Sequence, residues 1–318
     1  MAKLSTELKN EAANGGGFNA DKSGGSSRSG SGGAINGGLS LSQSNVLFLT
    51  LRYCILCLFA VTMLMPLLWM FTMSLKNNNT IFMLPPDIFP KEFVWGNYPK
   101  AIETMKFYQS LFNTVRITVF SVIGQLMSCS LVAYAIARIR FPGRKIWFYA
   151  IIGSMMLPGM ISTIPVFMLF SKFGWVNTVW PLIVPAYLGA PFYTFLLRQN
   201  FMGIPRSFDE AARIDGAGHP MILFRILLPM VKPALMVIII MAFQASWNDY
   251  LNPLLYLHKQ ELWTLSIAIR QFAGMYAVSW NLFMAADLLY IAPIIIVFLL
   301  LQRYFMSGLG SLNRVALK

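Results

Sequence analysis

Residue types that do covalent or redox chemistry are scarce in this sequence. Its two histidines, His219 and His258, fall on opposite sides of the membrane in the topology that the positive charges predict. Neither the H-E-x-x-H pattern of a zinc site nor the G-x-x-x-x-G-K-[ST] pattern of a phosphate-binding loop occurs. No serine or cysteine is placed beside a histidine for nucleophilic catalysis. The sequence therefore predicts a protein that is not an enzyme and that holds no metal or cofactor of its own.

Four polar or aromatic residues beside the predicted apolar helices are candidates for a solute path. Trp247, Asn248 and Asp249 suit a sugar, since an aromatic face stacks on the ring while amide and carboxylate groups bind hydroxyls. An interfacial aromatic belt with a helix cap explains the same three residues. Asp287 has three open roles: it faces the path, pairs with Arg270 or keeps a structural contact. Both acids fall near predicted outer helix ends, where the cost of roughly 2.5–3.5 kcal/mol for a carboxylate at the bilayer centre declines.

The segment 198–229 differs from the other connections because it is long and carries both signs of charge. Ser207 and Glu210 have the spacing of a capping box, and Gly216 is suited to end a helix in a left-handed conformation. Pro220 is suited to the start of a second helix. The pattern predicts a short helix over about 208–215, a glycine-rich turn and a second helix, all outside the bilayer.

A helix of about eight residues is not stable alone in water, so the predicted one must dock against another surface. Ala211 and Ala212 are small enough for a partner to approach closely. Glu210 and Asp215 offer charges to a basic partner or to the base of their own loop. Packing against the chain's own helices explains the segment equally well.

The elements that must position these residues are apolar helices. Of the 318 residues, 57% are hydrophobic and only 12% are charged, about half the share of a typical soluble domain. Small residues such as Gly124 and Ser128 predict that another helix packs closely against theirs. Three prolines in the stretch 180–197 predict that this stretch lies centrally, among other helices. Six stretches approach the length of about 20 residues that crosses a bilayer: 46–74, 111–137, 146–170, 180–197, 231–251 and 282–301.

The positive charges predict the orientation of these helices. Lys and Arg are about twice as frequent in segments on the side of the N-terminus as on the other side, which predicts cytoplasmic N- and C-termini. The net charge of +13 is explained in this way and does not indicate nucleic-acid binding. Residues 1–45 are rich in Gly and Ser and predict a flexible tail.

A family resemblance rests on the 198–229 segment. It is similar at every fixed position to the EAA loop of ABC-importer permeases: Glu210-Ala211-Ala212, three residues, Gly216, nine residues, Ile226, one residue and Leu228-Pro229. The resemblance covers roughly 108–303 and is greatest to the smaller permease of maltose, glycerol-phosphate and related oligosaccharide importers. It implies an all-α membrane protein with the type I ABC-importer permease fold.

The resemblance also implies partners and site residues. A second permease would complete the translocation path, an ABC ATPase dimer with ATP and Mg²⁺ would drive it, and an extracytoplasmic solute-binding protein would deliver a sugar. The positions that match the family's ATPase-coupling residues are Glu210, Ala211, Ala212, Asp215 and Gly216. The expected location is the bacterial inner membrane, in contact with lipid.

The expected organisation follows from these assignments. It consists of a tail at 1–45, a first helix with its external connection at 46–107, a transmembrane core at 108–303 and a C-terminal tail at 304–318. The alternative is a self-sufficient secondary carrier or channel, which would need mid-membrane acids and an inverted repeat, and the sequence shows neither clearly.

Overall fold

The computed structural model describes residues 43–81, 83, 87, 89–272 and 279–316. Of the described residues, those up to Leu58 belong to one unit and those from Phe59 onward belong to a second, larger one. The described residues form helices and contain no strand, which confirms the predicted all-α class. The predicted flexible tail lies outside the described residues except for 43–45, which begin the first helix.

Long apolar helices alternate with short connecting ones. The helices before the EAA loop are α1 (Gln43–Ser74), α2 (Asn97–Thr104), α3 (Phe107–Arg138), α4 (Arg144–Ser154), α5 (Gly159–Lys172), α6 (Trp180–Ile183) and α7 (Pro191–Gly203). Those in and after the loop are α8 (Ser207–Ile214), α9 (His219–Met221), α10 (Leu228–Met230), α11 (Lys232–Trp247), α12 (Leu251–Tyr256), α13 (Leu265–Ala268) and α14 (Trp280–Ala316). A π-helical segment, Ile222–Leu227, joins α9 to α10.

The six apolar stretches become four continuous spans and two bent pairs among the described residues. The continuous spans are Phe48–Ser74, Phe107–Arg138, Trp180–Gly203 and Trp280–Leu300. Helices α4 and α5 meet at 100°, and the segment His219–Met230 meets α11 at 84°. The predicted six crossings are obtained when each bent pair is counted as one span.

Three predicted boundaries were wrong. The stretch 146–170 is two helices, because Pro158 cannot donate a backbone hydrogen bond and disfavours a helical conformation at the preceding residue. Helix α11 ends at Trp247, so Asp249 lies beyond it rather than within it. Helix α14 continues to Ala316, well into the predicted C-terminal tail.

The proline-rich fourth span packs centrally against α3, as predicted. Its helices α6 and α7 are separated by a 3-10 turn, Val184–Leu188. The Tyr187 ring of this turn lies directly over Gly124, and the hydroxyl of Ser128 donates to the carbonyl of Ala186 over 3.1 Å. The small residues of α3 therefore allow the predicted close approach.

Helix α3 lies at the centre of the larger unit, between α7 and α11. Its Cys129 and Ala133 are fully buried in one core with Leu197 of α7 and Ile238 of α11. A second buried core joins α2, the end of α11 and the first half of α14. These two cores fix the helices from which the site residues project.

A buried amide connects the end of α1 to α2 and α14. The Nδ2 of Asn97 donates to the carbonyls of Ser74 and Lys76 over 2.8 and 2.9 Å. Its Oδ1 accepts from the Nδ2 of Asn281 over 3.0 Å. Because a buried polar group without partners costs about 1–3 kcal/mol, these bonds specify how the three helices meet.

Large apolar side chains are exposed on several helices. Met63 of α1, Leu157 between α4 and α5, and Met160 of α5 are 73%, 72% and 80% exposed. A protein surrounded by water rarely exposes such continuous apolar surface. The exposure agrees with helices whose solvent is lipid.

Candidate functional site

Helix α8 and the turn after it form the exposed tip of the EAA loop. The helix agrees with the predicted range to within one residue at each end. Gly216 has a φ of +81°, in the left-handed region. The amides of Ala217 and Gly216 donate to the carbonyls of Ala212 and Arg213 over 2.9 and 3.0 Å, the two bonds of a Schellman motif. The prediction that Gly216 ends this helix is confirmed.

The predicted capping box is wrong. The helix is entered from Arg206, and no side chain caps its first turn. The amides of Asp209 and Glu210 donate instead to the Arg206 carbonyl over 2.9 and 3.1 Å. Ser207 is therefore already inside the helix, where its hydroxyl is not placed to cap.

The five predicted coupling residues do not share one face. Glu210, Ala211, Asp215 and Gly216 are exposed, whereas Ala212 is 7% exposed and packs into the core of its own chain. Only Ala211 of the alanine pair is available to a docking partner. The small size of Ala212 instead lets α8 approach the second half of its own loop.

A buried ion pair joins α8 to the end of α3. The Arg138 Nη1 lies 3.4 Å from the Asp209 Oδ2, and the two side chains are 3% and 10% exposed. The Arg138 Nη2 also donates to the carbonyl of Ile204 over 2.8 Å and to that of Phe201 over 2.6 Å. One guanidinium thus binds the last turn of α7, the residue after it and α8.

A second contact joins α3 to α9, on the other side of the loop. The Tyr134 hydroxyl, one turn before Arg138 on α3, lies 2.8 Å from the Nδ1 of His219 at the start of α9. The two rings pack edge to face. The EAA loop is therefore connected to α3 on both sides of the Gly216 turn.

Sequence reasoning missed this connection. Neither Arg138 nor Asp209 is among the site residues predicted from the sequence. The available signal was the position of Asp209 next to Glu210 on a short helix, because successive residues of a helix point in different directions. On a helix packed along one side, one of two adjacent acids can face inward, where a carboxylate needs a cation, but the spacing does not identify that cation.

A cavity of about 500 Å³ lies between α3, α5, α6, α7, α11 and α12. Its volume is within the range of about 300–1,000 Å³ typical of small-molecule sites. Its lining mixes polar and aromatic groups with small apolar ones. The polar and aromatic lining residues are Thr114, Ser121, Gln125, Phe170, Tyr193, Ser246, Asp249, Asn252, Tyr256 and Thr264.

Asp249 is the one charged residue among the described residues that line this cavity. Its carboxylate accepts hydrogen bonds from the backbone and side-chain amides of Asn252, over 3.2 and 2.9 Å. Burial raises the pKa of this carboxyl, and the Asn252 bonds act in the opposite direction. Asn252 therefore holds this carboxyl group in place, and no cation among the described residues pairs with it.

The other three solute-path candidates do not line the cavity. Trp247 is 2% exposed and stacks on Phe243 at 5.2 Å between ring centroids, so its face is not free for a sugar ring. Asn248 accepts a hydrogen bond from the Tyr290 hydroxyl over 2.8 Å. Asp287, on α14, is half-buried and makes no ion pair with Arg270. The structure brings only Asp249 to the cavity.

Comparison with known proteins identifies the class. Residues 126–310 match the family described as binding-protein-dependent transport system inner membrane component. The match covers more than half of the chain, and the chain belongs to this family. It is accordingly a multi-pass protein of the inner membrane.

Individual relatives agree with this class. The galactooligosaccharides transport system permease protein GanQ of Bacillus subtilis is 31% identical over 269 residues, 83% of this chain and 94% of that one. The arabinooligosaccharides transport system permease protein AraQ of Halalkalibacterium halodurans is 36% identical over 197 residues, 62% of this chain and 70% of that one.

A solved structure shares the fold. It is that of a bacterial ABC transporter involved in the import of the acidic polysaccharide alginate. The similarity has a TM-score of 0.72 at 25% identity and covers 83% of this chain and 98% of that one. The predicted importer-permease fold is thereby confirmed.

Proposed function

We propose that this chain is the permease subunit of an ATP-driven, binding-protein-dependent importer of a sugar or oligosaccharide. Its family is that of binding-protein-dependent transport components, and relatives named for arabino- and galactooligosaccharides support the sugar class. In this proposal a second permease completes the path, and both termini are cytoplasmic. An ABC ATPase dimer, which holds ATP and Mg²⁺, docks on the EAA loop.

The observation that carries the proposal is the construction of this loop. Helix α8 presents Glu210 and Ala211 outward, while the buried Asp209 is held by Arg138 of α3. An exposed short helix anchored to a central membrane helix is suited to transmit a push from a docked partner. Displacement of α8 would be passed to α3 through the ion pair, and the same guanidinium holds the end of α7 through its two carbonyl contacts.

The test compares two glycines of the loop that differ only in backbone conformation. Gly216 has φ of +81° and Gly218 has φ of −75°; a Cβ at Gly216 meets nothing within 4 Å, and one at Gly218 meets only the Pro220 Cδ at an ordinary contact distance of 3.8 Å. Gly216→Val should abolish transport and the stimulation of ATPase activity by loaded binding protein, because a β-branched residue is strained there by about 1–3 kcal/mol. Gly218→Val is the matched control and should retain both.

Membrane insertion should be normal in both variants, because neither glycine lies in a continuous span. A first experiment is purification of the chain in mild detergent with identification of its companions by mass spectrometry. An ABC ATPase and a second permease are expected. Retained ATP-dependent uptake in Gly216→Val, or recovery of the intact chain without any ATPase, would contradict the proposal.

A further inference from the structure

We infer that the cavity beside Asp249 is a direct solute-binding site of this subunit, and that it selects neutral, hydroxyl-rich sugars over sugars that carry carboxylates. The inference rests on the proposed importer function and adds the contact site and the charge class of the solute.

The Asp249 carboxylate has unused hydrogen-bonding capacity. An ionised carboxylate offers about four acceptor positions, and Asn252 fills two of them. Within the described ranges the ion pairs are Lys91 with Asp87 and Arg138 with Asp209, so no cation neutralises Asp249. Two adjacent sugar hydroxyls are donors of the right geometry to fill both remaining positions.

The walls around Asp249 supply the other groups that a sugar needs. The rings of Phe170 and Tyr256 lie 5.8 Å apart at 58° and give an aromatic surface for the apolar face of a sugar ring. Gln125 and Tyr193 also line the cavity. Neither the Gln125 amide nitrogen nor the Tyr193 hydroxyl donates to a protein acceptor in the part of the chain that the structure describes, so both are available for ring and hydroxyl oxygens.

The charge of the lining decides between sugar classes. No lysine, arginine or histidine is among the described residues that line the cavity, and its one charge is negative. An acidic sugar would bring a second carboxylate into a partly desolvated space, where like charges repel more strongly than in water. A solved importer of the acidic polysaccharide alginate has a similar fold, but the lining of this cavity favours a solute without carboxylates.

The experiment measures equilibrium binding to the membrane complex in lipid nanodiscs without its binding protein. The complex is this chain with the permease and ATPase that accompany it, with and without a non-hydrolysable ATP analogue. The neutral probes are radiolabelled arabinotriose, galactotriose and maltotriose, and the acidic probe is an alginate trisaccharide, each up to millimolar concentration. Asp249→Asn and Phe170→Leu test the cavity. Glu261→Gln, an exposed carboxylate that does not line it, is the matched control.

At least one neutral probe should bind to the unchanged complex, and the alginate trisaccharide should not. Asp249→Asn should weaken the binding by about tenfold or more, because charge-assisted hydrogen bonds are lost. Phe170→Leu should weaken it without changing the preference for neutral sugars, and Glu261→Gln should leave it unchanged. Co-purification of the ATPase with each variant reports that the complex is assembled.

Three outcomes would overturn the inference: no neutral probe binds, the acidic probe binds as tightly, or Asp249→Asn and Glu261→Gln behave alike. The selectivity of the unchanged complex is informative even if a variant fails to assemble. An assembled importer whose ATPase responds to its binding protein but whose cavity binds no sugar refutes this inference alone. Absence of an ATPase partner refutes the proposed function instead.

Discussion

Replacing Arg138 by methionine should release the EAA loop from α3. The substitution keeps a long side chain in the buried space but removes the cation that Asp209 faces. It also removes the donor to the carbonyls of Phe201 and Ile204. Helix α8 has eight residues and cannot remain folded without such support.

The expected loss of stability follows from the burial of the ion pair. With side chains 3% and 10% exposed, the pair is protected from solvent, and deleting one partner of a buried pair costs about 3–5 kcal/mol. Adding Asp209→Asn to Arg138→Met removes the unpaired charge and should recover part of that loss. The two carbonyls would still lack their donor, at about 1–3 kcal/mol each, so the recovery should be incomplete.

Backbone hydrogen–deuterium exchange of 207–217 in the complete importer measures this effect. Arg138→Met should increase exchange there by two or more orders of magnitude, as about 3–5 kcal/mol of local stability is lost. Stimulation of ATPase activity by loaded binding protein should fall in parallel. The matched control is Arg213→Met, which removes an exposed arginine from α8 itself and should cost less than about 1 kcal/mol.

Equal exchange in Arg138→Met and Arg213→Met would refute the role of the ion pair. So would a double variant that is no better protected than Arg138→Met alone. Loss of ATPase stimulation without increased exchange would mean that Arg138 acts elsewhere than through the loop.

Two other substitutions, one of them with a matched control, test the packing, and a third tests the buried Asp249 carboxyl. Gly124→Ala places a Cβ 2.6 Å from the Tyr187 ring and should cost about 1–3 kcal/mol in thermal unfolding of the complex, whereas Gly153→Ala meets open space in α4 and should not destabilise. Asn97→Ala leaves buried carbonyls without donors and should also lower the unfolding temperature. Because burial raises the pKa of Asp249, the folded state binds its proton more tightly, and stability falls as pH rises through that pKa. Asp249→Asn should therefore unfold at a higher temperature than the unchanged protein at neutral pH, and this difference in unfolding temperature should become smaller in acid. A variant that is less stable than the unchanged protein at neutral pH would contradict this reasoning.

The sequence predicted the helical class, the long apolar stretches and the helix-ending glycine, because each depends on local pattern. Apolar length requires a span, and the position of Gly216 after an amphipathic turn requires a left-handed residue. The bend between α4 and α5 was not predicted, since Pro158 is compatible with a kinked or a broken helix and packing decides between them.

The site was predicted less completely because its contacts join distant segments. Arg138 and Asp209 are separated by several helices, and no local pattern announces their pairing. The same holds for Trp247 and Asp249, which are two residues apart but belong to different environments: the former to a buried core and the latter to the cavity. Residue type indicated the chemistry of this segment, and only the fold determined which side chain faces the cavity.

The right-angled join between His219–Met230 and α11 makes the EAA loop a lever. At about 1.5 Å per residue the short arm is roughly 18 Å long, so a displacement of about 3 Å at its tip rotates the arm by about 10°. Because the arm is nearly perpendicular to α11, at 84°, its movement turns or tilts α11 and has only a small component along the α11 axis. Under the proposed docking of an ATPase on this loop, small movements of the loop would turn a helix that lines the cavity without sliding that helix along its own axis.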